Sequence, residues 1–220
     1  MEKIFLETQD NIKIAANLYG VNNPTGWCVL AHMMPATKKS WQDFAQELQR
    51  QNYESLAIDL RGHGESDGGS SGYLDFSDEE HQKSILDLSA AVDYLLKERK
   101  APPDKIILIG ASIGANLALQ YIKEYPEFKI AVLFSPGLNY RGIETALLVK
   151  NLQAGQKVFF ISAKDDKRSG GNNAEMNQKL YDLTPTGVKR KIQIYETGGH
   201  GTDILKSYPE LSELIFEFIK

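Results

Sequence analysis

The run from Ile106 to Leu119 constrains this chain more than any other stretch. Ile106, Ile107, Leu108 and Ile109 are β-preferring and uninterrupted, the pattern of a parallel strand buried on both faces. The turn Gly110-Ala111-Ser112-Ile113-Gly114 follows. After it comes a segment apolar nearly all round, as in a buried helix: Ala115, Leu117, Ala118, Leu119, Tyr121 and Ile122. A strand, a tight glycine turn and a helix in that order push the serine hydroxyl out at the strand's end. Ser112 also starts the helix. Free N–H groups and the positive end of the helix dipole therefore lie where an oxyanion would form. With Gly and Ser each near ~7% of residues, a bare G-x-S-x-G arises by accident in about one chain of this length in fifteen. The flanking strand and helix, and the acid and histidine downstream, carry the reading.

The rest of the chain alternates strands with helices. Ile4 to Thr8 and Ile12 to Tyr19 alternate apolar and polar residues around Gln9-Asp10-Asn11, predicting an antiparallel hairpin at a sheet edge. Trp27 to Ala31 reads as a buried strand leading into His32-Met33-Met34-Pro35. Trp41, Phe44, Ala45 and Leu48 fall at helical spacing within Ser40 to Gln51, with Ser40 as N-cap. Ser55 to Ile58 is a strand, and Asp67 to Gly72 a surface loop. Asp78 to Lys97 is one long amphipathic helix, stopped by Pro102-Pro103. Beyond the Ser112 turn, strands are expected over Ile130 to Phe134, Val158 to Ser162 and Lys191 to Tyr195. Helices are expected over residues 143–151, Ala174 to Leu183 and the C-terminal stretch through Leu211, Leu214, Ile215 and Phe218.

This alternation predicts an α/β fold: a mostly parallel sheet with helices on both faces, in a single domain over residues 1–220. In such sheets the chemistry collects at the carboxyl ends of the strands. His32, Ser112, Asp165, Asp166 and His200 all fall just past strand ends. A serine hydroxyl needs a base within hydrogen-bonding reach. Histidine titrates near neutrality, and a carboxylate can fix its tautomer and stabilise the imidazolium. The chain order Ser112, Asp165 or Asp166, His200 supplies all three groups.

The net charge of −4, with no lysine or arginine cluster legible along the chain, argues against a nucleic-acid footprint. Cys28 stands alone in an apolar run, which excludes an intramolecular disulfide or a cysteine-based metal site. The spacing of His32, His63 and the aspartates matches no metal motif, so no metal is expected. The first residues lack signal-peptide architecture, and no apolar run approaches the ~18 residues needed to span a bilayer. The expectation is a soluble, cytoplasmic protein without membrane partners. The oligomeric state is left open.

Five marks together carry a resemblance: the loop His32-Met33-Met34-Pro35, the segment Asp59-Leu60-Arg61-Gly62-His63-Gly64-Glu65-Ser66, the Ser112 turn, the turn at Asp165-Asp166, and Gly199-His200-Gly201. Over essentially its whole length the sequence resembles the α/β-hydrolase superfamily. It looks most like small bacterial and archaeal carboxylesterases of the dienelactone-hydrolase and serine-aminopeptidase-like branches. The resemblance implies a serine hydrolase of small or short-chain acyl esters, with thioesters and small amides as alternatives, working through an acyl-enzyme with no cofactor. A non-catalytic binding protein on the same fold is the rival from another class.

Laying Ala163 on the glycine of the family's Gly-x-x-Asp pattern makes Asp166 the triad acid and Asp165 a solvated neighbour. The resemblance also implies an oxyanion hole from the N–H groups of Met34 and Ile113, although His32-Met33 stands where many relatives have His-Gly. Met33, Leu138 and Tyr140 are expected to wall the substrate pocket. His32 and His63 read as loop-bracing residues and His81 as solvated. Arg141 reads as a surface ion-pair partner, with a grip on a substrate carboxylate as the other reading. Gly137 to Gly142 is too short to fold as a large cap.

Overall fold

The computed structural model describes residues 1–167 and 171–220. β1 (Glu2–Glu7) and β2 (Lys13–Tyr19) pair as the expected antiparallel hairpin. They are followed by β3 (Gly26–Ala31), α1 (Gln42–Arg50), β4 (Tyr53–Ile58), α2 (Asp78–Gln82), α3 (Ile85–Lys97), β5 (Ile106–Ala111) and α4 (Ile113–Glu124). Next come β6 (Ile130–Phe134), a small hairpin of β7 (Asn139–Tyr140) and β8 (Ile143–Glu144), α5 (Thr145–Lys150) and β9 (Lys157–Ala163). The chain continues through α6 (Asn173–Leu183), β10 (Lys189–Tyr195), α7 (Asp203–Ser207) and α8 (Leu211–Ile219).

Eight strands form one sheet in the order β1-β2-β4-β3-β5-β6-β9-β10, parallel from β4 onward. β5 is hydrogen-bonded on both edges and buried at every residue, which is why it reads as an unbroken apolar run. One apolar layer packs Leu88, Val92 and Leu95 of α3 with the body of α4. The other packs Phe44 and Leu48 of α1 with Leu211 and Ile215 of α8. Each such side chain, fully buried, contributes roughly 1.5–3 kcal/mol. Among the described residues no helix is long and apolar enough to cross a membrane. Cys28 is a buried free thiol whose pKa burial pushes up.

Three local expectations are corrected. Ser40 is no cap: Thr37 caps a 3₁₀ turn over Lys38–Trp41, and α1 begins only after it. The long helix expected over Asp78 to Lys97 is two helices. Residues 78–84 carry no apolar side chain to bury against the sheet. Ser77 and Glu80 close a capping box on α2, while the apolar stripe begins at Ile85. The separate α2 takes its own rotational phase, and His81 turns inward against Phe76, their ring centres 5.4 Å apart. It is buried, not solvated.

Candidate active site

Ser112 sits between β5 and α4 with φ 54° and ψ −119°, a strained conformation for a residue with a side chain, costing on the order of 1–3 kcal/mol. Its neighbours hold it there. The Ser112 N–H donates to the Phe134 carbonyl at 2.8 Å, and the N–H groups of Ala115 and Asn116 donate to the Ser112 carbonyl at 2.9 and 3.1 Å. Both glycines of the turn are sterically required. A Cβ on Gly110 would strike the Gly114 carbonyl, and one on Gly114 would strike the Ala31 carbonyl of β3. The start of α4 thus lies flush against the ends of two strands.

His200 and Asp166 come together from the loops after β10 and β9. His200 Nδ1–H donates to Asp166 Oδ2 at 2.6 Å, and both side chains are buried. This bond sets the tautomer and leaves Nε2 as the nitrogen able to accept a proton. The histidine loop is pinned from two sides. The Asp165 carboxylate accepts the N–H groups of Gly198 and Gly199, each at 3.1 Å, and Ser135 Oγ accepts the N–H of Gly201 at 2.9 Å. Asp165 is exposed, but it is more than the solvated neighbour expected, since it ties the acid turn to the histidine loop.

Ser112 and His200 open into one cleft of about 290 Å³, walled also by Met34, Ile113, Tyr140 and Arg141. Among the described residues, no protein acceptor takes the backbone N–H of Met34 or Ile113. Met33, expected in the wall, is packed in the core against Gly201 instead. Leu138 is half-buried against the main apolar layer and does not line the cleft. Tyr140 does line it, and its hydroxyl accepts from Asn173 Nδ2 at 3.3 Å. Arg141 lies 3.6 Å from Asp78, the surface ion pair expected, and also lines the cleft. With φ 53° at Arg141 and 79° at Gly142, the β7–β8 turn has the two left-handed residues of a tight hairpin.

Asn116, Asn173 and Asn177 hold this wall, and sequence reasoning missed them. Asn116 Nδ2 donates to the carbonyls of Gly137 and Ile143, and its Oδ1 accepts the Gly137 N–H. Asn173 and Asn177 both donate to the Pro136 carbonyl, at 3.0 and 3.1 Å. A lone asparagine in an otherwise apolar helix was the available signal for Asn116.

The bracing histidines lie behind the cleft. His32 Nδ1–H donates to the Met33 carbonyl at 2.8 Å, and its Nε2 accepts the Leu60 N–H at 3.0 Å, clamping the Met34 loop to the segment after β4. Burial, and secondarily His63, push the His32 pKa down to about 4. His63 donates to the Arg61 carbonyl and stacks on Tyr73. Asp59 accepts the N–H groups of Lys38 and Glu65 and pairs with the buried Lys38 ammonium. Among the described residues no group of three His, Cys, Asp or Glu side chains is placed to hold a metal ion.

An eight-stranded, mostly parallel sheet with helices on both faces, a strained serine between strand and helix, and a small hairpin in place of a large cap define an α/β-hydrolase fold. A family model described as serine aminopeptidase, S33 matches residues 22–180, and the chain belongs to that family. The fold is shared with solved esterase structures. One from Pyrococcus furiosus is 20% identical with a TM-score of 0.81, over 99% of this chain and 91% of that one. Another, from Rhodococcus sp., is 17% identical with a TM-score of 0.75, over 100% and 98% of the two chains. A third, from Exiguobacterium antarcticum, is 16% identical with a TM-score of 0.71, over 99% of each. A curated relative from Cyberlindnera fabianii, described as a probable alcohol acetyltransferase, is 27% identical over 104 residues. That match takes in 45% of this chain but spans only 24% of the relative's length.

Proposed function

We propose that the protein hydrolyses small or short-chain acyl esters through Ser112, His200 and Asp166. The observation that carries this reading is the 2.6 Å Asp166–His200 pair, delivered to the cleft into which the strained Ser112 opens. Ser112 Oγ attacks the ester carbonyl carbon while His200 Nε2 takes the hydroxyl proton. The N–H groups of Met34 and Ile113 hold the oxyanion. Collapse expels the alcohol, which takes its proton from His200. Water then attacks the acyl-enzyme with the same base. Asp166 keeps Nδ1 protonated and stabilises the imidazolium. The solved esterases of the same fold support ester as the substrate class, and the small cleft supports short acyl groups.

The same acyl-enzyme would serve transfer to an alcohol, the reaction in the description of the Cyberlindnera relative. Added ethanol should then divert product from free acid to ethyl ester. The primary test is a fluorophosphonate probe read by mass spectrometry, together with turnover of p-nitrophenyl acetate. Labelling at Ser112 with measurable turnover is expected. A protein that folds but neither labels nor turns over is the non-catalytic binding protein instead.

A further inference from the structure

The parallel strands that end at the triad begin at a row of lysines. Lys105 immediately precedes β5, Lys129 immediately precedes β6, and Lys157 and Lys189 are the first residues of β9 and β10. Across the sheet Ile107 pairs with Ile130, Ile130 with Lys157, and Lys157 with Lys189. Lys157 and Lys189 are therefore direct neighbours on strands ~4.8 Å apart, while Lys129, whose carbonyl accepts the Lys157 N–H, and Lys105 lie one and two residues before the paired Ile130 and Ile107 at the same end of the sheet. Like charges on adjacent strands repel. Burial, then Lys189 and Lys105, hold the Lys157 ammonium below the usual lysine pKa.

Three of the four border a cavity of about 310 Å³, which Asp104 and Lys220 also line. Lys105, Lys129 and Lys157 line it above a floor that includes Tyr53, Ile107 and Ile130. Such a volume is at the low end for small-molecule sites. The lysine ion pairs among the described residues engage Lys3, Lys38, Lys97, Lys164 and Lys206, and none of the four edge lysines. Asp104, an acidic side chain in the lining, pairs with none of them. Lys129 Nζ reaches a carbonyl, that of Pro126, and Lys189 lies over the Phe218 ring. In a chain of net charge −4, this gathering of cations without carboxylate partners runs against the average.

We infer that this cavity at the amino ends of the strands binds a small phosphate-bearing polyanion, with Lys105, Lys129 and Lys157 as its ligands, at a site separate from the Ser112 cleft. Lysines act as point charges without the planar fork of arginine. Lysines brought to one cavity from the starts of three neighbouring strands suit a multiply charged tetrahedral oxyanion better than a flat carboxylate. The apolar floor leaves room for an uncharged body attached to it. From Ile107 on its floor, four residues of β5 intervene before Ser112, so the cavity lies ~16 Å from it at ~3.3 Å per residue.

The test compares the thermal midpoint of the full chain in sodium pyrophosphate and in sodium chloride at equal ionic strength. Pyrophosphate in large excess should raise the midpoint by about 5 °C, with chloride doing little. Lys157→Gln should melt above the wild type in low-salt buffer, because a repulsion is gone, yet lose more than half of the pyrophosphate response. Lys105→Gln, outside the strands, tests the same loss independently. Lys206→Gln, whose lysine pairs with Asp203 elsewhere, should keep the full response. A response matched by chloride, or undiminished in both Lys157→Gln and Lys105→Gln, overturns the site.

Discussion

The two ends of the parallel sheet gather polar side chains in opposite ways. At the carboxyl ends the charged and polar groups that frame Ser112 meet complements: Asp166 meets His200, Asp165 meets two glycine N–H groups, and Ser135 meets Gly201. At the amino ends, lysines meet lysines. The first arrangement is organised without a ligand and holds strained backbone in place, at Ser112 and at Ser135 with φ 49°. The second holds a charge that the fold itself does not neutralise. A preorganised site and a site completed by its ligand can thus share the same strands.

The most damaging change to the preorganised end is Ser112→Ala. Ester turnover should fall by roughly five to six orders of magnitude, since nucleophile and base act as a unit. The melting midpoint should barely move, because alanine keeps the turn. Next is Asp166→Asn, which removes the carboxylate that sets the His200 tautomer. It should lower kcat about 10⁴-fold, measured on the same ester.

Acid sharpens the comparison. His32 is neutral in the fold with its pKa pushed down to about 4, against an ordinary 6.5. Below pH 6.5 the unfolded chain binds a proton that the folded one refuses, so stability is full above that pH and falls as pH drops toward 4. The loss reaches about 3 kcal/mol for a shift of this size. Denaturant midpoints measured from pH 7 to 4 should show the slope. Burial also holds His63 and His81 below the ordinary histidine range, so His32→Asn should make the slope shallower without abolishing it.

Asp165→Asn should be milder than Asp166→Asn, about tenfold in kcat. It weakens two hydrogen bonds to the histidine loop rather than removing the acid, and should cost about 1–2 kcal/mol in denaturant melts. Equal losses in the two variants would move the acid's role onto Asp165. Smallest of all is the dependence on acyl length. Each buried methylene contributes ~0.8 kcal/mol only until the cleft is full. kcat/KM on p-nitrophenyl esters should therefore peak at roughly two to six carbons and then fall severalfold. A rise through twelve carbons would contradict a cleft this small.

The elements that carry a repeating pattern were legible along the chain. β5, α4, the edge hairpin and the order of strands and helices follow from periodicity and from glycine and proline punctuation. The serine turn was legible because its determinants, Gly110 and Gly114, are local. What was hidden lies where the chain has no period. Met33 and Met34 are chemically alike, and which one faces the cleft depends on how His32 clamps their loop to Leu60. The asparagines that hold Pro136 and Gly137 come from α4 and α6, far apart in sequence.

By itself the sequence determined the alternation of elements, the position of a strained serine between β5 and α4, and the chain order of serine, acid and histidine. Those depend on short-range sterics and on burial of residues a few positions apart. Tertiary structure decided which of two adjacent aspartates meets His200, which methionine lines the cleft, and that His81 turns inward. It also brought together Lys105, Lys129, Lys157 and Lys189, which are 24 to 32 residues apart from one to the next and read as ordinary surface charges in one dimension. Parallel strands return each chain segment to the same edge, so residues with no local relation become neighbours.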